Sequence, residues 1–383
     1  MNRREFVAAG IGAASYARVN GANERIGLAL IGAGRRGTEV AKAFAADERV
    51  ELRSICDIYD MHRRRAAQAL GKVPGTAEHE EALAQPGVDA VLLAVPDHLH
   101  LTLAEAALAA DKHLYIEKPT VHRWNERLAL RAAVEKSGKV LQCGTQQRSG
   151  AHYRRAKEEI FGAKKLGQVV FARAVWSNFP WQCRHIQPLP KPESLDWNRF
   201  LGPARKVPYE TARYDSWRYF PDYGGGLLAD ILTHWADVAQ WMMDDASPES
   251  AVAAGGIYAF QDGRENPDTV NAIVKYKNWN LSFESSVLPI KNDNPSVFFE
   301  GAEGTLDLAR TGYTFTPNKG EPLHVAAEGS LERAHAANFV DAIVRGTAVS
   351  ANLESGINAI RPVQMALNSY WSKTHGRTTD GRQ

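Results

Sequence analysis

Three short stretches of this chain carry side chains that could do chemistry together. The first, Gly32-Ala33-Gly34-Arg35-Arg36-Gly37, has the spacing G-x-G-x-x-G. In such a turn the first glycine permits the tight bend, the second lets backbone approach a pyrophosphate, and the third lets a helix pack on a strand. A helix starting there offers free N–H groups to phosphate oxygens. Asp57 follows 20 residues after Gly37, where a carboxylate hydrogen-bonds adenosine ribose hydroxyls and repels a 2′-phosphate, so NAD is favoured over NADP. Arg63, Arg64 and Arg65 could reach such a phosphate, but they read more simply as the solvated face of a helix beginning near Met61. The second stretch is Glu117-Lys118-Pro119. A residue before proline is held in extended backbone, so the lysine is aimed. The third is Asp230 with His234, four residues apart on an expected helix and therefore on one face, where the carboxylate can orient the imidazole or share a ligand's hydroxyl. A nicotinamide that takes hydride from a carbinol carbon needs neighbours that handle the proton, and imidazole, ammonium and carboxylate are such groups. Each also has a plainer reading as a surface ion pair, Lys118 with Glu117 and Asp230 with His234.

These residues need elements to hold them. The aliphatic run 26–31 reads as a strand covered on both faces. Strands over 50–56, 90–95, 113–116 and 140–144 then alternate with helices over 38–46, 99–109 and 123–137. That alternation predicts right-handed crossovers and a doubly wound parallel sheet, with ligands beyond the carboxyl ends of its strands. Val95-Pro96-Asp97-His98-Leu99-His100 and Glu117-Lys118-Pro119 should therefore open on one crevice. From about Ser149 the pattern changes to a helix reaching 165, a strand over 168–176 and a long loop rich in rings, including Trp181, Trp197, Trp217, Tyr219 and Tyr223 and ending in Gly224-Gly225-Gly226. Rings in a loop suit stacking on sugar faces as well as packing beneath the loop. A helix over 227–243 follows, then strands over 251–259, 270–276, 281–286, 296–300 and 305–308 that read as antiparallel, and helices over 331–344 and 353–372. The expected division is 1–22, 23–148 and 149–383, an α/β protein with a second α+β domain.

At 383 residues the chain suits two domains, and a formal net charge of +2 lacks the basic excess that binding to a phosphate backbone favours, so nucleic acid is not an expected partner. Cys56, Cys143 and Cys183 form no C-x-x-C pair, and no H-E-x-x-H run occurs, so neither a metal site nor a disulfide framework is expected. His98, His100, His152 and His185 could gather at a cleft, although isolated histidines more commonly satisfy local hydrogen bonds. Arg3 and Arg4, Phe6 and the short apolar run 7–17 have the form of an export signal of the twin-arginine kind, with Ser15-Tyr16-Ala17 as a small-x-small cleavage site. Charges interrupt every later apolar stretch, so no membrane span is expected. A protein exported to the periplasm would have to carry its NAD with it and hold it tightly.

Taken in order, the glycine turn, Pro96-Asp97-His98-Leu99-His100, Glu117-Lys118-Pro119 and the glycine run leading to Asp230-x-x-x-His234 resemble the Gfo/Idh/MocA oxidoreductases, the family of glucose-fructose oxidoreductase and inositol dehydrogenase. The resemblance runs from about Glu24 to His375. It implies a Rossmann domain followed by an open, mainly antiparallel sheet whose free face mediates homo-oligomerisation, and Lys118, Asp230 and His234 as the catalytic set. It also implies His100 beside the cofactor, while Asp97 stands where the family commonly has asparagine. The expected cofactor contacts are Gly32, Ala33, Gly34, Arg35, Arg36, Gly37, Asp57, Val95, Pro96, His98, His100, Glu117, Lys118 and Gln146. Substrate contacts, expected from their place near strand ends or in the aromatic loop, are Gln146, Arg148, Trp181, Trp217, Arg218 and Tyr223. The expected activity is NAD-dependent oxidation or reduction at a hydroxyl or carbonyl of a sugar, glycoside or polyol. Two alternatives stand beside it: a redox-neutral glycosidase working by oxidation, elimination, hydration and re-reduction, and a nucleotide-binding protein without turnover, against which the intact Lys118, Asp230 and His234 set argues.

Overall fold

The computed structural model describes residues 25–177, 179, 186–288 and 295–372. The export-type segment, Trp181, Cys183 and His185 lie outside them.

The first half alternates as expected: β1 (Ile26–Ile31), α1 (Arg35–Ala45), β2 (Val50–Cys56), α2 (Asp60–Leu70), β3 (Gly75–Thr76), α3 (His79–Ala84), β4 (Ala90–Leu93), α4 (His100–Ala109), β5 (His113–Ile116), α5 (Glu126–Ser137) and β6 (Leu141–Cys143). The strands lie in the order β3-β2-β1-β4-β5-β6 and all neighbours run parallel. Every residue of β1 is buried, which is why its sequence shows no polar alternation. The strand order reverses between β1 and β4, and the crevice opens above that point.

The second half begins with α6 (Ala151–Ala156), which runs on through a π-helical stretch at Lys157–Gly162 to β7 (Val169–Val175). The aromatic region holds α7 (Trp197–Leu201) and α8 (Thr211–Asp215), and a π-helical stretch at Leu228–Leu232 leads into α9 (Thr233–Met243). Then come β8 (Ser250–Gly256), β9 (Thr269–Lys275), β10 (Asn280–Ser286), β11 (Ser296–Gly301), β12 (Gly304–Ala309), β13 (Gly312–Pro317), β14 (Leu323–Ala326), α10 (Leu331–Arg345) and α11 (Leu353–Ser372). The sheet order is β14-β13-β12-β11-β7-β10-β9-β8, antiparallel throughout except where β7 meets β10. One face is covered: Val270, Ala272 and Val274 of β9 are buried in a core with Trp235 and Val238 of α9 and Val363 and Ala366 of α11. The alternate residues Asn271, Ile273 and Lys275 face outward.

Sequence pattern alone did not indicate β13 or β14. β14 is a four-residue edge strand, β13 beside it carries three threonine and glycine residues and ends in proline, and their pairing depends on β12. A second feature escaped it as well. Helix α10 returns to the first sheet, where Ala336, Phe339 and Val340 join Phe44 and Tyr115 in one core. The Phe339 ring meets Phe44 edge-on at 5.8 Å. The first domain is thus closed by a helix some two hundred residues downstream, and that helix carries a residue into the site.

Candidate active site

A cavity of about 1490 Å³ lies between the carboxyl ends of the first sheet and the second domain. Small-molecule sites commonly occupy about 300–1,000 Å³, so this one has room for a dinucleotide and a second reactant. Its floor is the glycine turn. Gly32 has φ +93°, and a Cβ on Gly37 would sit 1.9 Å from the Gly32 carbonyl oxygen, so neither position admits a side chain. A Cβ on Gly34, by contrast, would meet nothing within 4 Å. That open backbone, with the N-terminus of α1 behind it, fits a pyrophosphate. Asp57 accepts from the Ala33 N–H at 2.8 Å and from the Tyr59 N–H at 2.9 Å, so its carboxylate ties the turn to the end of β2 while still lining the cavity.

The reactive end is assembled across the domains. Lys118 follows β5, and its Nζ donates to Asp230 Oδ1 at 2.5 Å and to the Asp230 carbonyl at 2.8 Å. Arg218 Nε lies 3.1 Å from the other carboxylate oxygen, an ion pair without hydrogen-bond alignment, and its guanidinium stacks on Trp217 at 4.1 Å. Burial alone would raise the Asp230 carboxyl, but Arg218 and Lys118 outweigh it and hold it well below the usual carboxylate range. His234 Nδ1 lies 3.1 Å from Gln147 Oε1. With the amide oxygen accepting, Nδ1 carries the proton and Nε2 is left as an acceptor. Burial first, and then Lys118 and Arg310, push this imidazole well below its ordinary value. It is a neutral base, not the near-neutral titrating group that an unperturbed histidine would be.

Asp97 is buried on the cavity wall beside Gly224. Burial pushes its carboxyl up to about 7, against the pull of Arg218 and Lys118. On the opposite wall Glu332, at the start of α10, gathers Arg36 Nη1 at 3.4 Å, Arg310 Nη2 at 3.3 Å and Gln146 Nε2 at 3.3 Å. Arg36 Nε also donates to Glu117 Oε1 at 2.8 Å. Glu332, Arg310 and Trp176 carried no local signal, since they reach the site only when α10 and the second sheet dock, and Gln147, beside the expected Gln146, is marked only by its contact with His234.

A family model described as an oxidoreductase family with an NAD-binding Rossmann fold matches residues 26–145, and the model of the GFO/IDH/MocA C-terminal domain matches residues 153–307, together well over half of the chain. The chain belongs to the Gfo/Idh/MocA oxidoreductase family. Among its relatives, an inositol 2-dehydrogenase of Arthrobacter sp. (strain FB24) is 31% identical over 151 residues, 38% of this chain and 44% of that protein. A levoglucosan dehydrogenase of Pseudarthrobacter phenanthrenivorans is 24% identical over 263 residues, 63% of this chain and 60% of that protein. The crystal structure of GenD2 from gentamicin A biosynthesis, in complex with NAD, superposes with a TM-score of 0.72 at 21% identity, covering 95% of this chain and 97% of that one. Family membership makes the first domain an NAD-binding one and the chain an oxidoreductase.

Within this family member the cavity is lined by Gly32, Ala33, Gly34, Arg35, Arg36, Asp57, Val95, Pro96, Glu117, Lys118, Gln146, Trp217, Arg218, Asp230 and His234. Five residues expected at the ligands stand elsewhere. Gly37 is packed behind the turn. His100 lies beneath the cavity floor, with Nδ1 2.7 Å from the Pro119 carbonyl and Nε2 3.0 Å from the Val95 carbonyl, so it links the two strand-end turns. Burial lowers it to about 4, and the neutral ring donates to one of these carbonyls only. His98 is turned away, with Nε2 2.7 Å from the Phe200 carbonyl and its ring 5.0 Å from Tyr223. Tyr223 is fully buried in an aromatic cluster with Trp197, Phe200 and Phe220. Arg148 grips Asp237 with Nε at 2.8 and 2.9 Å and faces a separate, smaller hollow.

Proposed function

We propose that this enzyme transfers hydride between NAD and a secondary hydroxyl or carbonyl of a sugar, glycoside or polyol. The observation that carries the reading is the meeting of Lys118 with Asp230 and His234 in the cavity that also holds the glycine turn. The cofactor, when bound, supplies the hydride acceptor. Neutral His234 takes the hydroxyl proton at Nε2 as the hydride leaves, its ring held in place by Gln147. Lys118, fixed by two bonds to Asp230, places an N–H toward the oxygen that becomes anionic. Asp230 has two cations for its one charge, so the trio keeps a net positive charge facing that oxygen. Trp217 and Trp176 line the cavity and supply apolar surface for the carbon side of a sugar. Relatives named for inositol and levoglucosan support this substrate class. The direct test is NADH formation with a panel that begins with myo-inositol and levoglucosan. The proposal predicts turnover with at least one cyclic polyol or sugar, lowered by about 10²-fold or more with the same substrate after Lys118→Met. Turnover that stays near the wild-type rate in that variant overturns the assignment.

Two further properties belong to the same reading. The segment from Arg3 to Ala17 supports export through the twin-arginine route, tested by whether replacing Arg3 and Arg4 with lysine keeps the protein in the cytoplasm. The uncovered sheet face pairs Val252 with Ile273 in register, about half exposed each, and suits a second copy of this chain. Light scattering on the purified protein tests it, with a dimer or tetramer expected and Ile273→Lys lowering the order.

A further inference from the structure

Of the four cations at the reactive end, Arg310 is the least firmly paired. It sits in the turn between β12 and β13 and lines the cavity from the second sheet. Lys118 and Arg218 hold Asp230, and Arg36 Nε holds Glu117 at 2.8 Å. Arg310 has no carboxylate to itself. Among the described residues its guanidinium makes one hydrogen bond, from Nη2 to Glu332 Oε1 at 3.3 Å. That oxygen also receives Arg36 Nη1 at 3.4 Å and Gln146 Nε2 at 3.3 Å. Charge-assisted bonds of this kind ordinarily measure about 2.7–2.9 Å. Arg148, which joins the domains, shows the contrast, with Nε at 2.8 and 2.9 Å from the two oxygens of Asp237. The Arg310 side chain is still 26% exposed.

Its place is beside the base. The guanidinium lies over the Trp176 ring at 5.7 Å, and that ring lies 5.8 Å from the His234 ring. After burial and Lys118, Arg310 is the next influence that keeps His234 neutral. A donor-only group is thus set next to the point where a carbinol must lose its proton. The hydroxyls of a neutral sugar both donate and accept, whereas a guanidinium only donates, through a planar fork that fits the two oxygens of a carboxylate. Glu332 stands alongside, so the roughly 1.5–2 negative charges of a phosphate ester meet more repulsion than the single charge of a carboxylate. When Arg310 turns to such a ligand, Glu332 keeps Arg36 and Gln146, and no buried carboxylate is stranded.

We infer that Arg310 binds the carboxylate of an acidic sugar, so that the substrates oxidised beside Lys118 and His234 are uronic acids or their glycosides. This rests on the hydride-transfer reading above and narrows its substrate class. The carboxylate is a handle and stays unchanged. A ring carbinol loses a hydride to NAD and a proton to His234 and becomes a ketone.

The test uses the full chain, with NADH present for binding and NAD for turnover. Calorimetric titration compares the methyl glycosides of glucuronic and galacturonic acid with those of glucose and galactose, and the primary phosphate ester of glucose is the phosphate probe. At least one acid should bind about 10- to 100-fold more tightly than its neutral counterpart, with kcat/KM higher by a similar factor. Arg310→Gln should bring the two affinities within about threefold of each other, and Arg310→Lys, which keeps the charge and loses the fork, should fall between. If thermal unfolding shows that the Gln variant folds poorly, Arg310→Lys alone carries the test through its smaller preference for the acid. Equal affinity for acid and neutral sugar, no binding of either acid, or a preference for the phosphate ester overturns the assignment. So does an Arg310→Gln protein that keeps its preference for the acid and loses affinity for NAD in fluorescence titration, since Arg310 would then serve the cofactor. NADH formed equally fast from acid and neutral sugar sinks the acid and leaves hydride transfer standing. An acid that binds through Arg310 and is oxidised at no carbon does the reverse.

Discussion

Two buried ion pairs fasten the second domain to the end of the first, Lys118 to Asp230 and Arg148 to Asp237, and they have opposite characters. Asp230 and Asp237 sit seven residues apart on the helical stretch 228–243, on the same side. Asp237 is completely buried, held by both oxygens on Arg148, and burial pushes its carboxyl up against the pull of that single arginine. Asp230 opens on the cavity and has two cations, which hold it well below the usual range. The chemistry of the two pairs is alike, and the space beside them differs. A pair turned away from the cavity that holds the glycine turn can only hold the domains together, whereas a pair lining that cavity can lend its charge to a reacting group.

The comparison is sharpest at the largest expected effects. Lys118→Met removes a donor aimed at the developing alkoxide, and loss of one such donor costs about 10²–10³ in rate, with a further loss from freeing Asp230. NAD binding, measured by fluorescence titration, should stay within about threefold, since the glycine turn and Asp57 are untouched. Arg148→Met should do the reverse. It strands a buried carboxylate and should lower stability by about 3–5 kcal/mol in urea unfolding while the rate per folded molecule changes little. A variant of Arg148 that kept its stability and lost turnover would merge the two pairs into one functional unit.

A smaller effect is expected at His234. His234→Asn should lower kcat by about 10²-fold or more through loss of the proton acceptor. Because burial and the nearby cations keep this ring neutral, His234 should add no limb of its own near the ordinary histidine value, and a limb at about 7 in the wild-type pH profile should belong to Asp97 and persist in His234→Asn. A limb there that vanished in His234→Asn would show that the ring is exposed enough to charge.

How far the sequence reached follows from the same contrast. The glycine turn, Asp57 and Lys118 lie within a run of alternating strands and helices, and each follows directly from its own strand, so pattern and position together locate them. Asp230 and His234 were legible as a helical pair, although the stretch that carries Asp230 is π-helical and Lys118, not His234, is the carboxylate's hydrogen-bond partner. Arg148 shows the limit. Its place after β6 matches a ligand contact, but nothing local says whether a side chain there turns toward the crevice or into the joint between domains. His98 and His100 fail for the same reason, since a polar residue at a strand end serves equally to hold carbonyls of neighbouring turns. Glu332 depends on α10 docking against α1, and Arg310, between β12 and β13, on the placing of the second sheet, both contacts between residues far apart in the chain. The folding of backbone turns is local and readable, and the direction of a side chain within an interface is not.

The smallest effect sharpens the comparison most, because it asks how much positive charge the open pair has left over. Asp97 faces Arg218, Lys118 and Asp230, with His98 and His100 behind it, and its carboxyl stands at about 7 in place of 3.8. Below 3.8 both folded and unfolded chains hold this proton and it contributes nothing. Between 3.8 and about 7 the unfolded chain has released it and the folded chain has not, so stability falls as pH rises, and above about 7 the full penalty is felt. Asp97→Asn keeps an oxygen acceptor for the Gly225 N–H and removes the proton. It should match the wild type near pH 4 and be more stable above about pH 8, by on the order of 2 kcal/mol once relaxation of the site is allowed for. Thermal unfolding at the two ends of that range measures it. An Asp97→Asn protein that loses stability at alkaline pH would mean that the ionised aspartate is favourably held and shares Lys118 and Arg218 with Asp230 well below pH 7 too, which would leave no net positive charge to meet an alkoxide and would bring the pair at the cavity much closer to the one in the joint.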